Sequence, residues 1–522
     1  MSALLRFCLI GWIGAIAAQA SPASNASVPA LVVERTDLIS PAGPGAFAGS
    51  LVKGPDGTLV LSWLEPAGSN EHALKFASLD LATRRWSTAQ TIARGRDWVA
   101  GHANLPVLAV QSKGRMTAVW CVNNPLPPHH HAPATGHDHG AGCHAVVSQS
   151  EDGGVNWSTP QPLTRESDIV EFVSLQPLAD GQLLAVWLDG RAKKEGKAQR
   201  LYSRLIGSNQ PDLLVDPSVC DCCQTTLTGF PDGSALVAYR GRAEGEIRDI
   251  LTARFIDGRW DEQRTKSDDG WAIAGCPVNG PRLASDGPRV TKTWFTAASD
   301  QPRVLTAGSS DAGDVFTLSQ RIDLGRPLGR VDALVLRDGT QLLTWLEGAG
   351  EDPSQPGGIY LRRLAAGGSA LTPALLVAAT AARANAFPRI ALAKDFDATP
   401  AQLVLVSTQA GETPQLKTTL VTLPSAAALA EADSACDCVG RGEQLVGYPM
   451  RAHILSLSNE KNTVRVRHGA IPGIMRAGEH EFKGTPALIG VLKADRDVLA
   501  RIEQRDGEWW IFDVRMLLRP KS

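Results

Sequence analysis

The sequence predicts an all-β chain in two parts, a six- or seven-bladed β-propeller and then a small β-domain of five strands. Three observations lead there. A short signature recurs along the chain: a turn ending in glycine, then an apolar strand ending in an aromatic residue. Convincing helical periodicity is scarce. After the alanine-rich, acidic stretch Ala426 to Ala435 the pattern changes to closely spaced short strands.

The signature first runs from Asp56-Gly57 to Trp63. It returns as Lys113-Gly114 to Trp120, Asp180-Gly181 to Trp187, Asp232-Gly233 to Tyr239, Asp286-Gly287 to Trp294 and Asp338-Gly339 to Trp345. The glycine-to-glycine steps are 57, 67, 52, 54 and 52 residues, and a degenerate seventh copy runs from Asp395 to Val406. Glycine suits the positive φ of a tight hairpin turn. Runs such as Thr58-Leu59-Val60-Leu61-Ser62-Trp63 have strand propensity. A four-stranded unit cannot bury both faces alone, whereas a ring of such units can, so a repeat of this length in an all-β chain means a propeller.

Ser150-Glu151-Asp152-Gly153-Gly154-Val155-Asn156-Trp157 fits the pattern S-x-D-x-G-x-x-W. This segment resembles the Asp-box β-propellers, the sialidase superfamily, and the resemblance in repeat layout covers residues 41–423. Sialidases have six blades, and seven repeats are counted here. The resemblance implies a structural turn on the outer rim rather than chemistry. A sialidase also needs an arginine motif near its first strand and a tyrosine–glutamate nucleophile pair. The region after the leader reads Val32-Val33-Glu34-Arg35-Thr36, and Tyr202, Tyr239, Tyr360 and Tyr448 are the only tyrosines, none in a nucleophile context. The expectation is a non-catalytic propeller. Asp189, Arg191, Arg240, Arg248, Asp249 and Arg282 sit near strand ends and loops, where they can gather into an anion-binding pocket or simply bridge hairpins.

A long hairpin between Trp120 and Ser148 carries His129, His130, His131, His137, His139 and His144, with Cys121 and Cys143 in it as well. Imidazoles at this density suit copper, zinc or nickel. Cys121 and Cys143 stand at the mouths of the hairpin, where a disulfide would close it. Cys220, Cys222 and Cys223 lie within four residues. They can hold a soft metal such as Cu(I), form disulfides (one of them to Cys276), or make a vicinal bridge. Cys436-Asp437-Cys438 has the same ambiguity.

In the last part, Met450 to Ser458 and Thr463 to His468 read as strands, followed by Ile471-Pro472-Gly473-Ile474-Met475 and Gly478-Glu479-His480-Glu481-Phe482. This region resembles the five-stranded, OB-like barrel of periplasmic copper chaperones of copper/silver efflux systems. The resemblance implies copper ligation. His468 matches the family's histidine ligand, Ile471-Pro472-Gly473 and Phe482 match its frame, and Met475 matches a neighbouring methionine. The family's Met-x-Met pair falls on Gly478 and His480, so the donors implied here are His468, Met475 and His480. Exchanging thioether for imidazole moves the preference toward Cu(II) or either oxidation state.

The chain has 522 residues, 20% of them charged, and a net charge of −2, a balance that does not draw it to nucleic acid. Arg6, the apolar run Phe7 to Ile16 and Ala18-Gln19-Ala20 read as a signal peptide. The expected layout is signal peptide 1–20, linker 21–40, propeller 41–423, linker 424–447 and barrel 448–522, in a periplasmic or secreted protein that does not span the membrane. The favoured reading is a protein that binds or hands on copper, another transition metal being the variant, with another envelope protein as partner. The rivals are a carbohydrate-active propeller enzyme such as an exo-α-sialidase, and a pure interaction module.

Overall fold

The computed structural model describes residues 34–99, 103–125, 142–261, 265–350, 356–365, 372–379, 387–394, 401–409, 413–423, 448–469, 475–505 and 507–516. The leader, His129 to His139, Cys436, Cys438 and Ile471-Pro472-Gly473 lie outside these residues. Seven antiparallel sheets of four or five strands follow one another. Their first strands are Phe47–Lys53, Val107–Val110, Val170–Pro177, Thr226–Gly229, Arg282–Asp286, Pro327–Val335 and Arg389–Lys394. Each of these strands touches the next, and the last touches the first, so the sheets form the seven blades of a propeller. The seventh blade is completed from the other end of the chain, where Glu34–Leu38 pairs with Gln415–Thr422. Among the described residues no helix is long and apolar enough to cross a membrane.

An apolar cluster fills the gap between every pair of neighbouring blades, including the closing one between the seventh and the first. Second strands such as Leu183–Asp189 and Gln341–Glu347 are therefore buried at every residue. A strand covered on both faces reads as a continuous apolar run rather than an alternating one.

The glycine turns share one construction. Gly57, Gly181, Gly233 and Gly339 take φ of 86°, 85°, 84° and 83°. The aspartate before each glycine accepts the main-chain N–H of the residue after it: Thr58, Gln182, Ser234 and Thr340. A left-handed residue and an Asx turn together set the hairpin. Three of the strand-ending tryptophans share a device in which an acid two residues on takes the indole N–H, whereas Trp294 donates to Asp269 from another part of the chain. Trp63 donates to Glu65 at 2.8 Å, Trp187 to Asp189 at 2.9 Å and Trp345 to Glu347 at 2.5 Å.

In the turn Ser150 to Trp157, Asp152 accepts the main-chain N–H of Asn156 at 2.9 Å, and Ser150 Oγ accepts that of Gly154 at 2.9 Å. Ser309 to Phe316 repeats it three blades on. Asp311 accepts from the Val315 N–H at 2.9 Å and Ser309 from that of Gly313 at 3.0 Å.

The C-terminal strands Tyr448–Ser458, Thr463–His468, Gly478–Lys483, Arg496–Arg505 and Glu508–Met516 close a five-stranded barrel. Met450, Ile454, Val464, Val466, Phe482, Ile502 and Ile511 fill it. A short helix, Pro486–Val491, lies between its third and fourth strands; Thr485 caps it by accepting the Leu488 N–H.

Lys292, on the second strand of blade 5, is fully buried, its ammonium 4.3 Å from the centre of the Phe316 ring and 5.3 Å from that of Trp294. Burial pulls it down to about 8 from 10.5, against the opposing charges of Asp269 and Asp268. Below pH 8 both folded and unfolded chains hold this proton, and the fold bears the whole cost of burying the charge. Between 8 and 10.5 the folded chain sheds the proton while the unfolded chain keeps it, so this residue makes stability rise with pH across that window. Lys292→Met is expected to stabilise the chain at pH 7 by on the order of 2 kcal/mol. Urea titrations at several pH values should show the advantage shrinking from pH 8 to 10.5; a constant difference would contradict the assignment.

Candidate functional site

The most closely assembled reactive groups are sulfurs. Strand Leu213–Asp216 ends blade 3, and the chain then crosses to blade 4 through Cys220-Asp221-Cys222-Cys223. The crossing is pinned where blade 4's second strand ends: the Cys220 N–H donates to the Arg240 carbonyl at 2.9 Å. Asp221 accepts the Gln199 N–H at 3.1 Å and pairs with Arg242 at 3.0 Å, which turns the three cysteines inward. Cys220, Cys222 and Cys223 are 1%, 1% and 2% exposed. Cys222 is bonded to Cys276, with Cα atoms 5.9 Å apart. Cys220 Sγ lies 2.9 Å from Cys223 Sγ and 3.9 Å from Cys222 Sγ. Arg248 donates to Cys220 Sγ at 3.4 Å and is itself held by Glu246 at 2.7 Å.

The shared hydrogen bond with Cys223 brings the Cys220 thiol down to about 6; burial opposes this, and the charges of Arg240 and Arg248 assist it. Burial, then the bond to Cys220, pushes Cys223 well up. The three sulfurs lie within 4.8 Å of one another, as the metal reading of this motif requires. The bond to Cys276 nevertheless removes Cys222 from the set, since a disulfide sulfur is not a thiolate ligand.

Cys121 and Cys143 are thiols rather than the disulfide expected of them. In the strand register Asn123 lies opposite Cys143 and Ala145 opposite Cys121, so the two cysteines are diagonal neighbours rather than directly opposed, with their side chains still in contact. The Asn104 amide donates to both sulfurs, at 3.3 and 3.4 Å. The contact with Cys121, reinforced by burial, raises the Cys143 thiol far above its ordinary range. His144 Nδ1 lies 2.8 Å from Asn124 Oδ1.

The anion pocket drawn from six charged residues does not assemble. Asp189 is fully buried and bonded to Trp187 and Arg191. Arg191 also holds Glu166 and Asp212 and lies over the Tyr202 ring. Arg240 donates to main-chain carbonyls of Asn279, Arg248 and Phe295. Arg248 sits at the thiols. Asp249 accepts the Trp271 N–H at 3.1 Å and pairs with Lys266 at 3.0 Å. Arg282 pairs with Asp332 at 2.8 Å. These groups belong to different spokes of the ring and bind within or between neighbouring blades.

A different pocket exists at the hub. A cavity of about 170 Å³ is lined by the first strands, with Arg282, Arg389, Gln224, Thr225 and Ser174 among its polar groups. Burial and the nearby charge of Arg282 hold Arg389 down to about 9. Arg330 donates to the Val278 carbonyl at 3.0 Å, and burial lowers it to about 10. Arg389 opens the first strand of blade 7, just ahead of the degenerate seventh copy, where no glycine–aromatic signature flags it.

In the barrel, His468 ends the second strand and is 5% exposed. Its Nε2 lies 2.8 Å from His480 Nδ1, and its Nδ1 lies 2.6 Å from the Gly469 carbonyl. A carbonyl can only accept, so His468 Nδ1 carries the hydrogen and Nε2 presents its lone pair toward His480. Gly478 lies opposite His468 and Val466 opposite His480, so Gly478 and His480 share a face. Glu479 turns outward to Arg467 and Arg465. Met475 is half-buried against the barrel core. Sequence reasoning missed His453, whose Nδ1 lies 2.8 Å from Asp497 and whose Nε2 lies 3.4 Å from Asp495.

No protein-family model matches the sequence, and no curated protein does. Among solved structures the chain is similar to an ulvan lyase described as a new family of polysaccharide lyase, at 12% identity over 76% of this chain and 99% of that one, with a TM-score of 0.45. It is also similar to the α-L-arabinanase of Penicillium chrysogenum, at 13% identity, 75% and 98% coverage and a TM-score of 0.39. A third is the intramolecular trans-sialidase of Ruminococcus gnavus, at 11% identity, 73% and 94% coverage and a TM-score of 0.37.

Proposed function

We propose that this chain is an exported copper-binding or copper-handling protein. The barrel residues His468, His480 and Met475 hold the metal as cargo, and the propeller serves as scaffold and as docking surface for another envelope protein. The observation that carries the reading is the histidine pair. The Gly469 carbonyl fixes the tautomer of His468 and leaves the Nε2 lone pair facing His480, as outer partners orient metal-bound histidines. His468 Nε2 and His480 Nδ1 stand 2.8 Å apart as a hydrogen-bonded pair, and in this reading the ion takes the place of the proton they share. Imidazole and thioether together favour copper over magnesium or calcium.

The test uses the full chain with His129, His130, His131, His137 and His139 changed to serine, so that the insert cannot compete. Cu(II) titration followed by electron paramagnetic resonance should show nitrogen ligation. His468→Ala with His480→Ala should weaken binding at least 10-fold, the loss typical when ligation is disturbed. Unchanged affinity would overturn the assignment.

The hub cavity supports a second reading, a propeller that takes up a small anion against Arg282 and Arg389. No aspartate or glutamate is among the residues lining it. Glycoside hydrolysis commonly uses a pair of carboxyl groups, so the cavity favours binding over turnover.

A further inference from the structure

We propose that Cys220, Cys222, Cys223 and Cys276 form a thiol–disulfide exchange centre, which moves a disulfide between an inner pair, Cys220 and Cys223, and an outer pair, Cys222 and Cys276. The inference is independent of the copper reading, because it rests on the junction of blades 3, 4 and 5 and not on the barrel.

Four sulfurs meet at one place. Cys222 is bonded to Cys276, Cys220 Sγ is 3.9 Å from Cys222 Sγ, and Cys223 Sγ is 2.9 Å from Cys220 Sγ. The contacts therefore link Cys276 to Cys222, Cys222 to Cys220 and Cys220 to Cys223, a connected set along which one bond can be handed inward. The arrangement is also polarised. Cys220, Cys222 and Cys223 are buried, whereas Cys276 is only half-buried, so external reagents meet the outer end. Arg248 donates to Cys220 Sγ, which places positive charge beside the sulfur that must attack as a thiolate.

The steps balance within the protein. The Cys220 thiolate attacks Cys222 Sγ, the Cys220–Cys222 bond forms, the Cys222–Cys276 bond breaks, and Cys276 leaves as a thiolate that takes a proton from water. Cys223 then attacks Cys220 Sγ, which forms Cys220–Cys223 and releases Cys222, and the proton of Cys223 passes to Cys222. One disulfide and two thiols become one disulfide and two thiols, with no external oxidant. The outer pair, now a dithiol reached from outside through half-buried Cys276, can reduce a disulfide of another protein or a small disulfide; the reverse sequence takes electrons in from a thiol.

The test keeps the full chain free of metal with a chelator. Protein equilibrated across a series of glutathione buffers is acid-quenched, alkylated and mapped by mass spectrometry. Both disulfides, Cys222–Cys276 and Cys220–Cys223, should appear in the wild type, with the complementary thiols alkylated in each. Cys223→Ala should halt the exchange midway, as a Cys220–Cys222 bond with Cys276 open to alkylation. Cys220→Ser should slow labelling of Cys276 at least tenfold while leaving Cys222–Cys276 intact. Recovery of Cys222–Cys276 alone from the wild type in every buffer would overturn the proposal, and that measurement needs no variant to fold.

Discussion

Replacing Arg240 with methionine is expected to cost about 3 kcal/mol or more, the largest loss foreseen for any substitution near the thiols. The side chain is 1% exposed, and its guanidinium donates to the carbonyls of Asn279, Arg248 and Phe295 at 2.9, 2.6 and 2.7 Å. It also lies 4.8 Å from the centre of the Trp271 ring. These acceptors belong to two blades and the loop before the second of them, so one side chain ties blade 4 to blade 5. Methionine fills a similar volume, which removes the cavity term. What remains is three buried acceptors without their donor, at roughly 1–3 kcal/mol each before relaxation. Lysine should rescue little, because an ammonium cannot reproduce the planar fork that spans the three. Urea denaturation checks this: a midpoint within error of wild type for Arg240→Met would show that the carbonyls find other partners. A ligand-binding arginine, by contrast, could be removed without loss of stability.

The second large effect is expected at Asp189. This fully buried carboxylate accepts from the Trp187 indole, the Arg191 main chain and two nitrogens of the Arg191 guanidinium. Asp189→Ala leaves the buried indole N–H without its acceptor and one side of the half-buried Arg191 guanidinium without its carboxylate, while Asp212 and Glu166 still hold Arg191; the expected cost is about 2–3 kcal/mol. An exposed pair such as Lys197 with Glu195 contributes little by comparison. Trp187→Phe removes the indole N–H, so combined with Asp189→Ala it should cost less than the two single changes added together. Denaturation of the two single variants and the double variant measures that coupling; simple additivity would refute the indole–carboxylate device.

The repeat was legible because two of its requirements are local. A left-handed turn calls for glycine, and a blade interface calls for a large aromatic residue at a fixed step. The acid two residues past Trp63, Trp187 and Trp345 was equally visible, but its partner, the indole of the same strand, only becomes plain once both are buried. Ser309 to Phe316 escaped notice because phenylalanine stands where the pattern has tryptophan, although the serine, aspartate and glycine that form its hydrogen bonds were all in place.

The charged residues misled for a different reason. Asp189 and Arg240 lie at strand ends, which is where ligand-binding groups sit, but it is also where neighbouring blades need tying; Arg282, also at a strand end, does line the hub cavity. Sequence carries no information on which carbonyl a guanidinium will find. Cys121 and Cys143 show how far a register error reaches: a two-residue offset, unreadable across a long insert, turns opposed positions into diagonal ones. The closeness of Cys220, Cys222 and Cys223 followed from spacing, and a bond from one of them to Cys276 was among the alternatives read from the sequence; that Cys222 is the one bonded is set by the packing of two blades.

The blade completed by Glu34–Leu38 has a consequence for the order of folding. Asp37 accepts from Thr419, a partner 382 residues later in the chain. Ribosomes extend a chain by about 5–20 residues per second, so roughly 20–80 s separate the synthesis of these two residues. Blades 1 to 6 can each form from a contiguous segment as it emerges, but the ring cannot shut until nearly the whole propeller has been made. Until then one face of blade 1, with Leu59, Leu61 and Trp63, has no seventh blade to pack against and is open to unwanted association. The ring is thus assembled quickly from local pieces and locked late by its most distant pairing, which makes the joining of the two ends the slow and aggregation-exposed stage of its life history.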